Sequence, residues 1–218
     1  MTACLALAAG PVSCIILAGG TSRRMKVDKR RLRLWGDHGP TLLEHTVARA
    51  TRFSDDLIVA LNDPDDWKGL AARLVVDECV QAGPLAGLAA GLAACRHEYA
   101  LTLACDLPLL QDALLNALLA YPRPYDALAP IRPECLDGPR NALAVEPLIA
   151  IYRRSYLSAI RACLARHDHA LVAPLALVDM HCLPPDVWRR YDPDGLSFVN
   201  VNRPADLDRV TALSGTEG

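Results

Sequence analysis

A short apolar run, Val-Ser-Cys-Ile-Ile-Leu-Ala at residues 12–18, stops abruptly at Gly19 and Gly20. An apolar run of this length, bounded by turn residues, predicts a strand that is buried inside a sheet. Glycine lets the backbone approach a ligand closely, and successive N–H groups in such a turn form a concave anion site. The chain is therefore expected to build a buried strand that opens into a phosphate-binding loop.

Segments with strand and helix patterns alternate after this first strand. Thr41 is a candidate cap for a helix whose apolar positions recur at helical spacing. The expected strands cover residues 56–61, 73–76, 99–104 and 126–130, and the expected helices cover residues 65–71, 85–95 and 111–120. Such alternation predicts right-handed crossovers and a mainly parallel sheet. We expect an α/β fold, a single three-layer α/β/α domain with a Rossmann-like mixed sheet and a site at the carboxyl ends of its strands.

The second half of the chain has a less regular pattern. We expect a loop at residues 132–141, followed by an apolar run at 148–152 and a helix that ends near residue 166. A further strand is expected at 175–178, and a terminal helix after Pro204. With 218 residues, of which 52% are hydrophobic, one well-buried domain is the natural solution. We assign residues 12–213 to it and treat residues 1–11 and 214–218 as tails.

Charge and composition restrict the partners. A formal net charge of -2 and a pI near 6.3 give no global field that would attract nucleic acid or an anionic membrane. The apolar start lacks a basic n-region, and no later run reaches the roughly 18 apolar residues of a membrane helix. Eight cysteines occur without a Cys-x-x-Cys pair, which favours reduced thiols. We predict a soluble, cytoplasmic protein with neither nucleic-acid nor membrane partners.

Four cations follow the glycine turn within a few residues: Arg23, Arg24, Lys26 and Lys29. Together they can neutralise a triphosphate, although a solvated basic loop is the alternative. The dinucleotide fingerprint needs a third glycine, and the Walker motif needs Gly-Lys-Ser/Thr. Because both are missing here, a different nucleotide-binding fold is indicated.

Two carboxylates are expected where strands end. Asp106 follows the apolar residues 101–105, and a single aspartate facing a triphosphate is sufficient for magnesium, which also takes phosphate oxygens and water. Its alternative role is a cap for the helix after Pro108. Asp77 occupies the equivalent place after the preceding strand, at residues 73–76. It either faces the nucleoside or is an ordinary loop carboxylate.

Small and amide residues complete the candidate set. Gly83 and Gly87 lie near a helix start, where a base could lie flat against the backbone, or where the helix packs closely on the sheet. Asn200 and Asn202 alternate about Val201, so in an extended chain both amides point to one ligand, unless one caps the next helix. We do not assign metal sites to the pair at residues 181–182 or the histidines in residues 167–169.

Four segments of the chain are distinctive in combination: Leu-Ala-Gly-Gly-x-Ser-Arg-Arg-Met with Asp-Lys, Gly-Pro-Leu-Ala-Gly-Leu, Cys-Asp-Leu-Pro and Phe-Val-Asn-Val-Asn-x-Pro-x-Asp-Leu. Together they resemble the molybdenum cofactor guanylyltransferase family of the nucleotide-diphospho-sugar transferase superfamily. The resemblance spans about residues 12–210. Two departures stand out, since Lys26 replaces a glycine of the family's Met-Gly-x-Asp-Lys, and Glu146 stands where relatives often carry histidine before proline.

The resemblance implies transfer of GMP from magnesium-GTP to the terminal phosphate of molybdopterin, or its molybdenum form, with release of pyrophosphate. Arg24 and Lys29 would stabilise the leaving pyrophosphate, and Asp106 would hold the magnesium. The implied or candidate nucleotide-binding residues are Leu17, Ala18, Gly19, Gly20, Lys29, Asn62, Asp77, Gly83, Gly87 and Asp106. Asn200 and Asn202 would bind the acceptor, and cofactor-insertion or delivery proteins are conceivable partners. The alternatives are a cytidylyltransferase on molybdopterin or another phosphorylated acceptor, and a non-catalytic, nucleotide-binding delivery protein.

Overall fold

A computed structural model of the protein describes residues 10–19, 28–76, 83–133 and 144–214. Its strands are β1 (Val12–Leu17), β2 (Asp56–Ala60), β3 (Arg73–Val75), β4 (Tyr99–Ala104), β5 (Ala127–Pro130), β6 (Ile149–Arg153) and β7 (Met180–Leu183). Its α-helices are α1 (Leu42–Ala50), α2 (Gly83–Ala94), α3 (Asp112–Leu119), α4 (Leu157–Leu164), α5 (Pro185–Trp188) and α6 (Asp206–Ser214). Short 3-10 helices cover Lys29–Arg31, Pro64–Trp67, Arg154–Tyr156, Ala173–Leu177 and Leu196–Phe198.

The strands form one mixed sheet in the order β3-β2-β1-β4-β6-β5-β7. The four strands from β3 to β4 are parallel, β6 runs antiparallel to both β4 and β5, and β7 is parallel to β5. The predicted α/β class and the mixed sheet are confirmed. Because β1 lies between β2 and β4, its carboxyl end is flanked by two other parallel strand ends.

Helices cover the sheet on both faces. Side chains of β1 alternate between the faces, so Ile16 belongs to the core cluster that includes residues of α1 and α3, whereas Ile15 belongs to the cluster that includes residues of α2 and α4. The whole of β1 is buried, as a central parallel strand should be. Helix α2 lies especially close to the sheet, since a Cβ added at Gly91 would stand 2.5 Å from Cγ2 of Ile15.

The start of α1 agrees with the prediction that Thr41 caps it. The Thr41 hydroxyl accepts a hydrogen bond from the Glu44 N–H at 3.2 Å, and the Glu44 carboxylate accepts one from the Thr41 N–H at 2.8 Å. This reciprocal capping box satisfies two backbone donors that a helix start leaves free. It also fixes Leu42, which packs in a small third cluster with Val201 and Val210.

Two predicted elements are wrong in type or place. Residues 65–71 do not form an α-helix, since only the 3-10 helix Pro64–Trp67 is present there. Residues 175–178 do not form a strand; they fall largely in the 3-10 helix Ala173–Leu177, and the strand follows at β7. Proline at the first turn of each 3-10 helix fixes a helical φ, and Gly69 disfavours continuation of the first of them as a longer helix. The predicted loop at 132–141 lies mostly outside the described residues.

No helix among the described residues is long and apolar enough to cross a membrane.

Candidate active site

The carboxyl ends of β1 and β4 lie side by side, with Leu17 in register with Ala104. A pocket of about 170 Å³ opens there. Its lining includes Leu17, Ala18, Gly19, Lys29, Pro84 and Asp106. The structure thus brings together residues that are far apart in the chain, at the edge of the sheet where α/β folds bind ligands.

Lys29 and Asp106 face each other in this pocket. The Lys29 Nζ and Asp106 Oδ2 atoms are 2.5 Å apart, and their side chains are 24% and 15% exposed. A cation and an anion are therefore both half-buried at the mouth of a small pocket, where one can meet phosphate oxygens and the other a metal ion. Asp106 fits magnesium in this setting because the ion needs only one or two protein carboxylates beside phosphate and water. The described part of the chain holds no group of three or more His, Cys, Asp or Glu side chains that could hold a metal ion.

The loop that carries Asp106 is held from two sides. The Asp106 carbonyl accepts a hydrogen bond of 2.8 Å from the Val201 N–H, and the Asp106 side chain meets Lys29. Asp106 is not a helix cap, since α3 begins six residues later with Gln111 as its N-cap. Burial raises the pKa of the neighbouring Cys105 thiol to about 12, so this thiol stays protonated at neutral pH and is no nucleophile.

The backbone of the glycine turn is partly described. Ala18 is buried, and its N–H donates to the Ala60 carbonyl at 2.9 Å, whereas Gly19 is exposed at the end of the strand. Gly20, Arg24, Lys26 and Asp77 lie outside the described residues, so their roles stay predictions. Of the predicted phosphate-binding loop, Gly19 and Lys29 are described by the structure.

The two helix-start glycines differ in their surroundings. Gly83 is exposed and has a φ of +65°, a left-handed conformation that favours glycine, directly before Pro84 in the pocket wall. Gly87 is buried, and a Cβ there would meet Leu17 Cδ2 at 3.4 Å. Gly87 therefore faces the sheet, in the packing role that the sequence left open.

The amide residues lie at exposed positions. Asn62 follows β2 and is exposed beside the strand ends. Asn200 and Asn202 are exposed on either side of Val201, which is fully buried. Asp206, in the first turn of the helix after them, accepts hydrogen bonds of 2.7 Å from the N–H groups of Asn202 and Arg203.

Arg30 is the residue of this site that the sequence did not reveal. It is 5% exposed and forms hydrogen bonds with both oxygens of Asp28 and both oxygens of Asp63. Its place in a run of basic residues gives no signal of this burial. Burial disfavours its charge, but the hydrogen bonds to Asp63 and Asp28 outweigh burial and raise its pKa. The hydrogen bonds from Arg30 lower the pKa of Asp63.

The departure at Glu146 has a local explanation. Its carboxylate accepts a hydrogen bond of 3.1 Å from the Leu148 N–H, and its own N–H donates to the Pro130 carbonyl at 2.8 Å. Leu148 in turn lines the pocket. Glu146 thus shapes the turn before β6.

The ring of His181 packs against Tyr121 and Tyr125, in agreement with a structural role.

Comparison with known proteins identifies the family. Residues 14–179 match the model of the MobA-like NTP transferase domain. The probable molybdenum cofactor guanylyltransferase of Chloroflexus aggregans is 41% identical over 207 residues, which cover 94% of this chain and 96% of that protein. The chain belongs to the molybdenum cofactor guanylyltransferase family. A second member, the molybdenum cofactor guanylyltransferase of Desulfosudis oleivorans, is 31% identical over 201 residues, which cover 92% of this chain and 95% of that protein.

Solved structures place this family member in its fold class. Molybdopterin-guanine dinucleotide biosynthesis protein A of Archaeoglobus fulgidus superposes with a TM-score of 0.75 at 22% identity, covering 94% of this chain and 100% of that one. The 2-C-methyl-D-erythritol 4-phosphate cytidylyltransferase of Thermus thermophilus reaches a TM-score of 0.67 at 21% identity, with the same coverage. Proteins named for different substrates thus share the fold, so the fold alone does not choose the base.

Proposed function

We propose that the protein transfers GMP from magnesium-GTP to the terminal phosphate of molybdopterin, or its molybdenum form, and releases pyrophosphate. The observation that carries this proposal is the contact of 2.5 Å between Lys29 Nζ and Asp106 Oδ2 at the ends of β1 and β4. It occurs in a chain that is 41% identical to a probable molybdenum cofactor guanylyltransferase. A paired lysine and aspartate at strand ends suit a phosphate chain with its counter-ion.

The chemistry needs positioning more than a reactive side chain. An acceptor phosphate attacks the α-phosphorus in line, so the protein mainly holds two anions together and stabilises developing charge. Lys29 and Arg24 would bind the departing pyrophosphate, and the exposed Gly19 backbone would approach the phosphates. Asp106 would hold magnesium, which neutralises charge on the phosphate oxygens.

In this proposal the nucleoside and the acceptor bind at different ends of the pocket. Asn62, Asp77, Gly83 and the start of α2 would surround the nucleoside, and Asn200 and Asn202 would contact the acceptor. A hydrogen bond joins Val201 to Asp106, which supports an acceptor position beside the proposed metal ligand. Cytoplasmic location and transfer of product to cofactor-insertion proteins belong to the same proposal.

Pyrophosphate release tests the proposal directly. Purified protein with magnesium and molybdopterin should release pyrophosphate with GTP, but not with CTP or ATP. Equal release of pyrophosphate with CTP would favour a cytidylyltransferase, which is the activity in the name of the Thermus thermophilus structural neighbour. Release that is independent of molybdopterin would indicate another acceptor, and tight GTP binding without release would indicate a delivery protein.

A further inference from the structure

The Arg30 guanidinium uses all of its donors within the protein. Its Nε donates to Asp28 Oδ1 at 2.8 Å, and its Nη2 donates to Asp28 Oδ2 at 2.8 Å and Asp63 Oδ2 at 2.6 Å. Its Nη1 donates to Asp63 Oδ1 at 2.6 Å and to the Ala18 carbonyl at 3.3 Å. Arginine has five N–H donors, so five acceptors leave none for a phosphate. Arg30 is thus not a direct phosphate ligand in this arrangement.

The partners of Arg30 are the chain neighbours of three predicted nucleotide ligands. Asp28 directly precedes Lys29, Asp63 directly follows Asn62, and Ala18 directly precedes Gly19. One buried side chain therefore ties together the segment before α1, the end of β2 and the end of β1. Asp28 is fixed further because its carboxylate also accepts from the Arg30 N–H at 3.0 Å.

We propose that Arg30 is a positioning residue that sets Lys29 and Asn62 at a fixed distance from Gly19 for nucleotide binding. This inference rests on the proposed function. The planar fork of arginine bridges two carboxylates with two bonds each, which a lysine ammonium cannot reproduce. The Arg30 side chain is only 6% exposed, whereas those of Asp28 and Asp63 are 29% and 37% exposed. Loss of the cation would leave the two carboxylates to repel each other.

Arg31 provides a matched control next in the chain. Its side chain is 49% exposed, stacks on the Trp67 ring at 4.7 Å and pairs with Asp66 at 2.8 Å. Both arginines lie over the Trp67 ring, and Arg31 Nε also lies 3.5 Å from Asp28 Oδ2, but Arg31 has no hydrogen bond to Asp63 or Ala18 among the contacts of the described residues. A change at Arg31 removes the same charge without removing the bridge.

Equilibrium binding of magnesium-GTP measures positioning separately from turnover. We expect Arg30→Met to raise the GTP dissociation constant roughly 10- to 100-fold, Arg30→Lys to restore little of this loss, and Arg31→Met to change it less than about twofold. Circular dichroism and thermal unfolding establish that each variant is folded. Should Arg30→Met fail to fold, Asp63→Asn breaks the same bridge while the arginine remains, with Asp66→Asn as its control.

A double-mutant cycle with Asn62→Ala separates positioning from general stability. If Arg30 acts by placing Asn62, the loss caused by Asn62→Ala is several-fold smaller in the Arg30→Met background than in the wild type. The inference is overturned if the two losses of GTP affinity multiply fully in the double variant, or if a folded Arg30→Met protein binds GTP with wild-type affinity. Either result leaves the proposed function intact. If the wild-type protein binds no GTP, the proposed function fails and the inference falls with it.

Discussion

The backbone N–H of Val201 donates a hydrogen bond of 2.8 Å to the carbonyl oxygen of Asp106. Val201 is fully buried in the small cluster that also contains Leu109 and Val210. Its neighbours Asn200 and Asn202 are exposed. A segment near the end of the chain is thereby fixed to the loop that carries the proposed metal ligand, and the two amides flank the point of attachment.

Replacing Asn200 or Asn202 by alanine tests the acceptor assignment. We expect the KM for molybdopterin to rise roughly 10-fold, because a hydrogen bond to a charged group is lost, while the KM for GTP stays the same. Steady-state pyrophosphate release with each substrate varied in turn measures this. Asp208→Asn, at an exposed position of α6, is the control. An increase confined to the KM for GTP would move these amides to the nucleotide side.

Asp106→Asn and Lys29→Met test the central pair. Each should reduce turnover by about 10²-fold or more, because the stabilisation of developing phosphate charge is lost. The matched control is the exposed pair of Lys68 and Asp65, whose Nζ and Oδ1 atoms are 2.7 Å apart. Lys68→Met and Asp65→Asn should keep wild-type turnover. Near-normal turnover in Asp106→Asn would rule out this aspartate as the metal ligand.

Gly91→Ala tests the close approach of α2 to the sheet. The new methyl would stand 2.5 Å from Ile15 Cγ2 inside a fully buried strand, so we expect the free energy of unfolding to fall by about 1–3 kcal/mol. Gly69→Ala is the control, since nothing lies within 4 Å of its added Cβ. Urea unfolding of both variants measures the difference. Equal stability would mean that α2 can move away from β1 without cost.

Asp56 predicts an acid-dependent loss of stability. Its buried carboxylate accepts hydrogen bonds from the Ser13 hydroxyl at 2.6 Å, the Arg96 N–H at 2.9 Å and the Arg73 guanidinium at 2.5 Å. Burial opposes its ionisation, but these hydrogen bonds and the charge of Arg73 outweigh burial and lower its pKa. A lowered folded-state pKa gives stability that is present above the unfolded value, about 3.9, and is lost as the pH falls through the folded value.

The free energy of unfolding of wild-type protein and Asp56→Asn should therefore differ at neutral pH and converge as the pH falls below about 4. Urea unfolding between neutral and acidic pH follows this difference. Asp194→Asn, at an exposed position, should give a small difference that does not converge in this way. A constant gap between the wild type and Asp56→Asn at all pH values would show that the ionised carboxylate contributes nothing.

Local patterns were sufficient for the framework of the site. The strands β1 and β4 follow from apolar runs that stop at turn residues, and the ends of parallel strands must meet at one edge, which brings Gly19 and Asp106 together. Pattern alone gives no strand direction, so the antiparallel β6 needed the structure. Arg30 was hidden for a similar reason, because its burial depends on Asp63, which reaches it only through the pairing of β1 with β2.

The place of β1 between β2 and β4 has a consequence for biosynthesis. As the chain leaves the ribosome, β1 can pair with β2 early, but its other edge stays open until β4 has been made. Such non-local pairing is slow, and an open apolar edge invites association with other nascent chains. The bond from Val201 to Asp106 forms later still, so a chain cut before Val201 should have a sheet in which the loop of Asp106 lacks this support.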